Sequence, residues 1–180
     1  MNIRASVFIA TSLDGFISRK DGSIDWLNEA NQLVTKGEDC GYKAFSDSTD
    51  VMLMGRNTFD LVRTFDMWPY GDKRVVVLSR RTVDIPAEWQ KTVSHSSEAP
   101  EVLLRRLEAE GYRHAYVDGG ITIQRFLRAG LIDELTITLI PVLLGEGRPL
   151  FGPLERDVKL KLVRTHAYDF GFVQVTYTTG

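Results

Sequence analysis

The sequence predicts an α/β protein with a mostly parallel central sheet and antiparallel strands at its C-terminal end. Strand patterns alternate with helix patterns as far as Gly130, and strand patterns alone follow. That order is typical of a sheet that begins parallel and ends antiparallel. Residues 51–54 are also continuously apolar, which indicates a strand covered by other elements on both faces.

The composition is that of an ordinary soluble globular protein, and we expect one domain over residues 1–180. Hydrophobic residues make up 43% of the chain, charged residues 26%, and the net charge is −2. This balance gives no general attraction to nucleic acid or to an anionic membrane. Cys40 is the only cysteine, which excludes an intrachain disulfide, and no segment resembles a signal peptide or a membrane span. We therefore expect a cytoplasmic protein.

The N-terminal half predicts strands and short helices joined by glycine-rich turns. Asp14-Gly15 and Asp21-Gly22 are turn signals within a long first loop, because glycine adopts positive φ without steric cost. The predicted elements are a strand over 3–10, a loop over 11–24, helices from Asp25 and within 41–48, a strand over 51–54, a helix after Gly55 and a strand over 74–78.

The C-terminal half predicts two helices and then a run of strands. Pro100 suits a first helical turn and Gly111 a helix end. A strand ending at Asp118 leads through Gly119-Gly120 into a helix with apolar residues at helical spacing, closed by Gly130. After it we expect a long strand over 133–144, a glycine- and proline-rich turn, and a hairpin of strands over 158–168 and 172–178.

Three junctions at predicted strand ends carry groups suited to phosphate. They are Gly55-Arg56-Asn57-Thr58, Leu78-Ser79-Arg80-Arg81 and Gly119-Gly120. Each has an ordinary alternative: a tight turn, a surface arginine, or a basic strand end in solvent. Ligands of open α/β sheets bind outside the carboxyl ends of the strands, where these junctions lie. Together they favour a dinucleotide, held by arginine, hydroxyl groups and a helix N-terminus.

In its ordered set of motifs the chain resembles the dihydrofolate reductase-like superfamily. Most similar is the C-terminal reductase domain of bacterial riboflavin-biosynthesis deaminase-reductases, here in a standalone form. The resembling segments are SLDG at 12–15, MGRNT at 54–58, VLS at 77–79, DGG at 118–120, AGLIDEL at 129–135 and IPVLLG at 140–145. The resemblance implies a dihydrofolate reductase-like, three-layer fold.

The resemblance also implies NADPH as the cofactor and assigns residues to each part of it. Gly55, Arg56 and Thr58 would hold phosphates of the adenosine half, while Ser79 and Arg80 would face the 2′-phosphate. Leu78, which precedes them, is a further cofactor-binding residue. Gly119, Gly120, Ile121 and Thr122 would hold the pyrophosphate. Ala10, Gly15, Phe16 and Ile17 would lie near the nicotinamide. The family further implies a homodimer, in which strand 135–144 either contributes to the contact or lies inside its own sheet.

The substrate end departs from both known relatives. Folate-reducing members carry an acidic residue five positions after a tryptophan, whereas counting from Trp26 leads to Asn31. The riboflavin reductase has lysine after its Asp-Gly and glutamate before its Gly-Gly, where this chain has Phe16 and Asp118. A phenyl ring and an ammonium group cannot recognise the same polar substrate.

Three residues are candidates for substrate binding or for proton transfer to the substrate. Asp14 is the candidate catalytic proton source, with a turn residue as the alternative. Trp26 and Asp118 are candidate substrate-binding residues, although Trp26 equally suits an anchor of its helix to the core. The histidines and Cys40 show no metal-like spacing, so we expect no metal.

Four functions stay open on the sequence. The leading hypothesis is an NADPH-dependent reductase that transfers hydride to a small pteridine- or pyrimidine-like heterocycle. The alternatives are 5-amino-6-(5-phosphoribosylamino)uracil reductase, dihydrofolate reductase, and a protein that binds NADPH without catalysis. The expected partner is a small-molecule substrate, and neither nucleic acid nor a membrane.

Overall fold

Runs of β-branched and apolar residues form the strands, and short amphipathic segments form the helices between them. A computed structural model describes residues 1–180. The strands are β1 Arg4–Ser12, β2 Phe16–Ser18, β3 Val51–Gly55, β4 Arg74–Leu78, β5 Val93–Ser96, β6 His114–Asp118, β7 Glu134–Ile140, β8 Arg148–Pro149, β9 Leu160–Ala167 and β10 Val173–Thr179. The α-helices are α1 Asp25–Asn31, α2 Tyr42–Ser48, α3 Arg56–Val62, α4 Pro100–Ala109 and α5 Gly120–Arg128.

Eight strands form the central sheet in the order β5-β4-β3-β6-β1-β7-β10-β9. Neighbouring strands from β5 to β7 run parallel. β10 is antiparallel to β7 and β9, and β9 with β10 forms the predicted hairpin. The predicted fold class is therefore confirmed. A second sheet pairs only β2 with β8.

Helices cover both faces of the sheet, so the protein has three layers. On one face, Leu53 of β3 packs in a core with residues of α4 and α5. On the other face, Met52 and Met54 pack with Phe59 of α3. Because side chains alternate along a strand, a strand buried on both faces is apolar at every position. No helix is both long enough and apolar enough to cross a membrane.

Several predicted boundaries differ from the structure. The strand expected over 133–144 ends at Ile140, because Pro141 follows and has no N–H for the ladder. It lies between β1 and β10, so it is an interior strand of its own sheet. β5 has the polar sequence VSHS and no signal in the sequence predicted it. The first loop and the turn after β7, expected without strands, contribute β2 and β8.

Candidate functional site

The three phosphate-suited junctions lie side by side at one edge of the sheet. Gly55 at the end of β3 is in register with Leu78 at the end of β4, and Met54 is in register with Asp118 of β6. Adjacent strands are about 4.8 Å apart. One ligand can therefore reach the ends of β4, β3 and β6 together.

Bare glycine backbone allows the two central junctions to pack against each other. A Cβ on Gly119 would lie 2.5 Å from the Thr58 hydroxyl oxygen, and one on Gly55 would lie 2.8 Å from that of Thr122. Gly119 also has φ +89°, which L side chains rarely adopt. Glycine is thus required at 55 and 119 because a threonine hydroxyl lies against the backbone at each position. This packing brings Thr58 and Thr122 to the same edge of the sheet.

The N-terminus of α5 has no side-chain cap. Its first helical hydrogen bond runs from the Ile123 N–H to the Gly119 carbonyl, so the N–H groups of Gly120, Ile121 and Thr122 precede the helical ladder. Ile121 is 67% exposed, which leaves this end open to solvent. An open helix N-terminus with free N–H groups and partial positive charge suits a pyrophosphate.

Unpaired cations stand at the end of β4. Arg80 and Arg81 have no carboxylate within 4.0 Å. The Ser79 hydroxyl donates to the Arg81 carbonyl at 2.7 Å and accepts from the Arg81 N–H at 3.0 Å, which fixes the turn that carries both arginines. Arg56 at the next strand end meets Asp60 at 3.8 Å, a loose pair on an exposed face. Leu78 is buried in the core and supplies only backbone to this edge.

The first loop folds over the Gly-Gly junction. Ile17 of β2 lies beside α5, because a Cβ on Gly120 would be 2.7 Å from the Ile17 Cδ1 atom. Gly15 has φ +86° and its carbonyl accepts from the Leu150 N–H at 2.9 Å. Phe16 of β2 pairs with Pro149 of β8. The residues expected near a nicotinamide therefore lie next to the expected pyrophosphate site.

Asp14 makes local contacts that hold two loops together. Its carboxylate accepts from the Ser12 hydroxyl at 2.6 Å and from the Gly145 N–H at 2.7 Å, and it also accepts from Leu144 N–H. The Ser12 hydrogen bond is the main cause that lowers the Asp14 pKa. A carboxylate that is ionised and fully engaged suits a positional task better than proton donation. Its catalytic role stays a prediction.

Asp118 lies in the opposite environment. Burial raises the pKa of Asp118 to about 6, although its carboxylate accepts from the Gly119 N–H at 2.8 Å. Burial and then the Asp118 charge raise the pKa of Tyr42, Tyr70 and Tyr116, so the charge of this carboxyl group reaches three tyrosines. A carboxyl group of this pKa holds a proton for part of the time near neutrality.

A cavity of about 410 Å³ opens beside Tyr42, between the sheet and the α1–α2 segment. Its volume is in the range of small-molecule sites. Eight of its twelve lining residues are hydrophobic, so an apolar ring fits the lining. The lining residues are Phe8, Ala10, Leu27, Asn31, Val34, Glu38, Asp39, Cys40, Tyr42, Thr138, Ile140 and Phe172.

A hydrogen-bond chain orients Thr138 in the cavity wall. The buried Gln174 side-chain amide donates to the Cys40 carbonyl at 2.9 Å and to the Thr138 hydroxyl at 3.0 Å. A carbonyl can only accept, so the Cys40 contact fixes which end of the amide is nitrogen. Because Thr138 accepts from that nitrogen, its own O–H hydrogen is free to donate to an acceptor on a ligand.

The predicted substrate residues fall in different places. Asn31 lines the cavity, as the count from Trp26 suggested. Trp26 is 3% exposed and packs with Ile140 and Phe172, which line the cavity, so it lies behind the wall. Its indole N–H has no partner. The sequence analysis did not identify Phe8 or Thr138. Side chains alternate along a strand, and β1 and β7 are neighbours, so both residues lie on the same face of the sheet.

Comparisons with known proteins identify the family of this chain. A family model described as the RibD C-terminal domain matches residues 5–174. The Bacillus subtilis (strain 168) protein YwjB is 36% identical over 93% of this chain and 94% of its own length. YyaP of the same organism is 30% identical over 94% and 91%.

Solved structures show the same fold. A Shewanella sp. PV-4 protein, assigned by its name to riboflavin biosynthesis, superposes with TM-score 0.92 at 39% identity and 99% coverage of both chains. The Thermotoga maritima deaminase/reductase gives 0.75 at 16% identity, with 99% of this chain and 57% of that chain covered. Enterococcus faecalis dihydrofolate reductase, complexed with NADP(H), gives 0.63 at 20% identity over 99% and 97%. The chain therefore belongs to the RibD C-terminal domain family, with the dihydrofolate reductase-like fold of RibD-type reductases.

Proposed function

We propose that the protein is an NADPH-dependent reductase that transfers hydride to a small heterocyclic substrate. The order of strands across the sheet is the observation that carries this proposal. Free arginines lie at β4, close-packed glycines at β3 and β6, and the cavity beside β1 and β7. An extended dinucleotide laid over β4, β3 and β6 would end at β1, about 14 Å from β4, with its reactive ring at the cavity.

Each end of the cofactor has matching groups in this arrangement. Arg80 suits a 2′-phosphate, since its guanidinium is free and forms planar charge-assisted hydrogen bonds. Arg56 and Thr58 face the adjoining phosphates. The open N-terminus of α5 takes the pyrophosphate, and Ala10, a cavity-lining residue of β1, places the nicotinamide beside the substrate. When bound, NADPH supplies the hydride.

The protein must hold the substrate, exclude water and supply a proton. Phe8, Tyr42 and Phe172 give the cavity an aromatic wall that excludes water. We assign the proton to the Asp118 carboxyl group, whose charge raises the pKa of the cavity-lining Tyr42 and which is protonated for part of the time at neutral pH. Asp14 then keeps the first loop closed over the cofactor.

Cofactor titration with matched variants tests the proposal. We expect Arg80→Ala to weaken NADPH binding by about 10-fold or more and NADH binding far less, since it removes a charge-assisted contact to the 2′-phosphate. Gly120→Val should abolish binding of both, because its side chain meets Ile17 and covers the helix end. Arg105→Ala, an exposed arginine of α4 without an acidic partner, is the control. Equal NADPH affinity in wild type and Gly120→Val would overturn the proposal.

Pyrimidine reduction is the second candidate, and the 39% identical Shewanella protein supports it. The test is NADPH oxidation with 5-amino-6-(5-phosphoribosylamino)uracil, compared with dihydrofolate. Phe16 and Asn31 depart from the patterns of the two known reductases, so we expect slow turnover of both. Turnover of the pyrimidine as fast as that of any other compound tested would make it the substrate.

We also propose a homodimer. Its contact surface is strand β9 and not the strand over 135–144. β7 is interior, whereas β9 is an edge strand that is exposed along its whole length. Leu160, Leu162 and Val163 of this strand are 43–54% exposed. An edge strand with exposed apolar residues favours pairing with another chain.

A further inference from the structure

The charges around the cavity define the class of compound that it admits. Its only ionisable acidic lining residues are Glu38 and Asp39, and its lining contains no lysine, arginine or histidine. Both carboxylates are on exposed rim residues. The two lysines that flank this segment in sequence do not line the cavity, and one of them, Lys43, is bound to Asp47 at 2.6 Å.

The rim carboxylates also accept hydrogen bonds from the backbone of the local turn. Glu38 accepts from the Cys40 N–H at 2.6 Å, and Asp39 accepts from the N–H groups of Gly41 and Lys43 at 2.9 and 2.8 Å. A phosphate group bound against this lining would thus meet two acidic side chains and no lysine, arginine or histidine.

The floor of the cavity adds a shape requirement. Phe8 stacks on Phe45 with ring centroids 4.9 Å apart, and Tyr42 meets the Phe8 ring edge-on at 5.8 Å. Ala10 and Ile140 complete an apolar surface on which a flat ring can lie. Such a wall favours unsaturated ring compounds over flexible polar ones.

From this combination we infer that the substrate is a flat ring compound that is uncharged or positively charged and carries no phosphate. This inference rests on the proposed reductase function and narrows it, because the phosphorylated pyrimidine of the second candidate would be selected against. The rim carboxylates would reject phosphate esters and would tolerate or attract ring amines.

Matched pairs of ring compounds, with and without a 5′-phosphate, test the inference. The probes are 5-amino-6-(ribosylamino)uracil, riboflavin and uridine with their 5′-phosphates, together with 2,4-diaminopyrimidine as a cationic ring. Binding is measured by calorimetry on the full chain, alone and with NADP⁺. We expect at least one uncharged or cationic probe to bind, and its phosphorylated partner to bind about 10-fold more weakly or not at all.

A charge-reversal pair gives the control. Glu38→Lys should narrow or reverse the preference against phosphate, whereas Glu155→Lys, the same change at an exposed position outside the cavity, should leave it unaltered. Melting curves check that both variants fold.

Either of two results would overturn the inference. One is that a phosphorylated probe binds as tightly as its partner, and the other is that no probe binds. Loss of NADPH binding in the separate cofactor titration would instead overturn the proposed function, so the two failures are distinguishable.

Discussion

At the scale of single residues, two aspartates next to glycines have opposite properties. Asp14 has a lowered pKa because a serine hydroxyl donates to its carboxylate, while burial raises the pKa of Asp118 to about 6. Such pairs, separated by their environments, often divide structural and acid–base work. The same Asp-Gly dipeptide therefore stands in two different environments, and our proposal assigns proton donation to the second.

The pKa of Asp118 predicts the pH profile of the reaction. A carboxyl group that donates a proton must be protonated, so kcat/KM should fall about tenfold per pH unit as the pH rises above about 6. Stopped-flow measurement of NADPH oxidation between pH 5 and pH 8 checks this. Asp118→Asn should give a low rate without that decline. A wild-type rate that rises with pH across this range would contradict the assignment.

Burial of Asp118 also predicts a cost to stability. Since its pKa is raised from 3.8 in the folded protein, the folded state binds the proton more tightly than the unfolded state. The free energy of unfolding should therefore fall as the pH rises from about 4 to about 6, by at most about 3 kcal/mol. Asp118→Asn should remove this dependence in urea unfolding. An unchanged pH dependence in the variant would show that the carboxyl group is not desolvated.

Thr138 gives a prediction for substrate recognition. The Thr138 hydroxyl oxygen accepts a hydrogen bond from the Gln174 side-chain amide. Its own O–H should therefore donate to a carbonyl oxygen or a ring nitrogen of the substrate. Thr138→Val keeps the shape and should raise KM about tenfold, while Thr138→Ser should restore most of the affinity. Thr136→Val is the control, because Thr136 bonds Thr176 on the same face outside the cavity. Equal KM values for Thr138→Val and wild type would exclude this contact.

At the scale of elements, the first loop and the turn after β7 form one unit. β2 pairs with β8, and Asp14 binds the backbone of Leu144 and Gly145. Gly147 lies so close to the Ser18 carbonyl and the Phe16 ring that it has no room for a side chain. We call these contacts the loop clasp. They hold Phe16 and Ile17 over the N-terminus of α5.

Opening the loop clasp should weaken cofactor binding more than it weakens the fold. Gly147→Ala would push β8 away from β2, so we expect the NADPH dissociation constant to rise about tenfold with a small fall in melting temperature. Gly37→Ala is the control, because φ +90° strains it in open space away from the clasp. Fluorescence titration and melting curves measure both effects. Unchanged NADPH affinity in Gly147→Ala would separate the clasp from the cofactor.

At the scale of the whole molecule, the sheet arranges the chemistry from one side to the other. Arginines follow the end of β4, and glycines lie at the ends of β3 and β6, where the N-terminus of α5 begins. β1 and β7 line the cavity. β10 and β9 extend the sheet beyond the cavity and leave one exposed edge. β10 therefore separates the proposed dimer surface on β9 from β7, which lines the cavity.

The exposed edge gives a prediction about assembly. Wild type should sediment at twice the 20.3 kDa mass of the chain, and Leu162→Lys should yield the monomer, because a charge on an edge strand discourages pairing. Leu143→Lys, which changes a leucine that is 69% exposed elsewhere, should stay dimeric. A dimer that survives Leu162→Lys would place the contact on another surface.

The fold class and the three junctions could be predicted from the amino-acid sequence. Three local patterns in the chain carried these predictions, and each can be recognised within a short segment. They are the alternation of strands and helices, a strand that is apolar at every position, and glycines at strand ends. They predicted the parallel sheet, the hairpin and the positions of Gly55, Gly119 and Gly120, and the motifs suggested the family.

Which residues line the cavity together became visible only in the tertiary structure. The cavity brings together Phe8 of β1, Thr138 of β7 and Phe172, which lies in the turn just before β10. Their shared position depends on sheet order, which no local pattern encodes. The different pKa shifts of Asp14 and Asp118 likewise depend on neighbours that are distant in the chain, because hydrogen bonding and desolvation act through space. The interior position of β7 and the exposure of β9 follow from the same pairing.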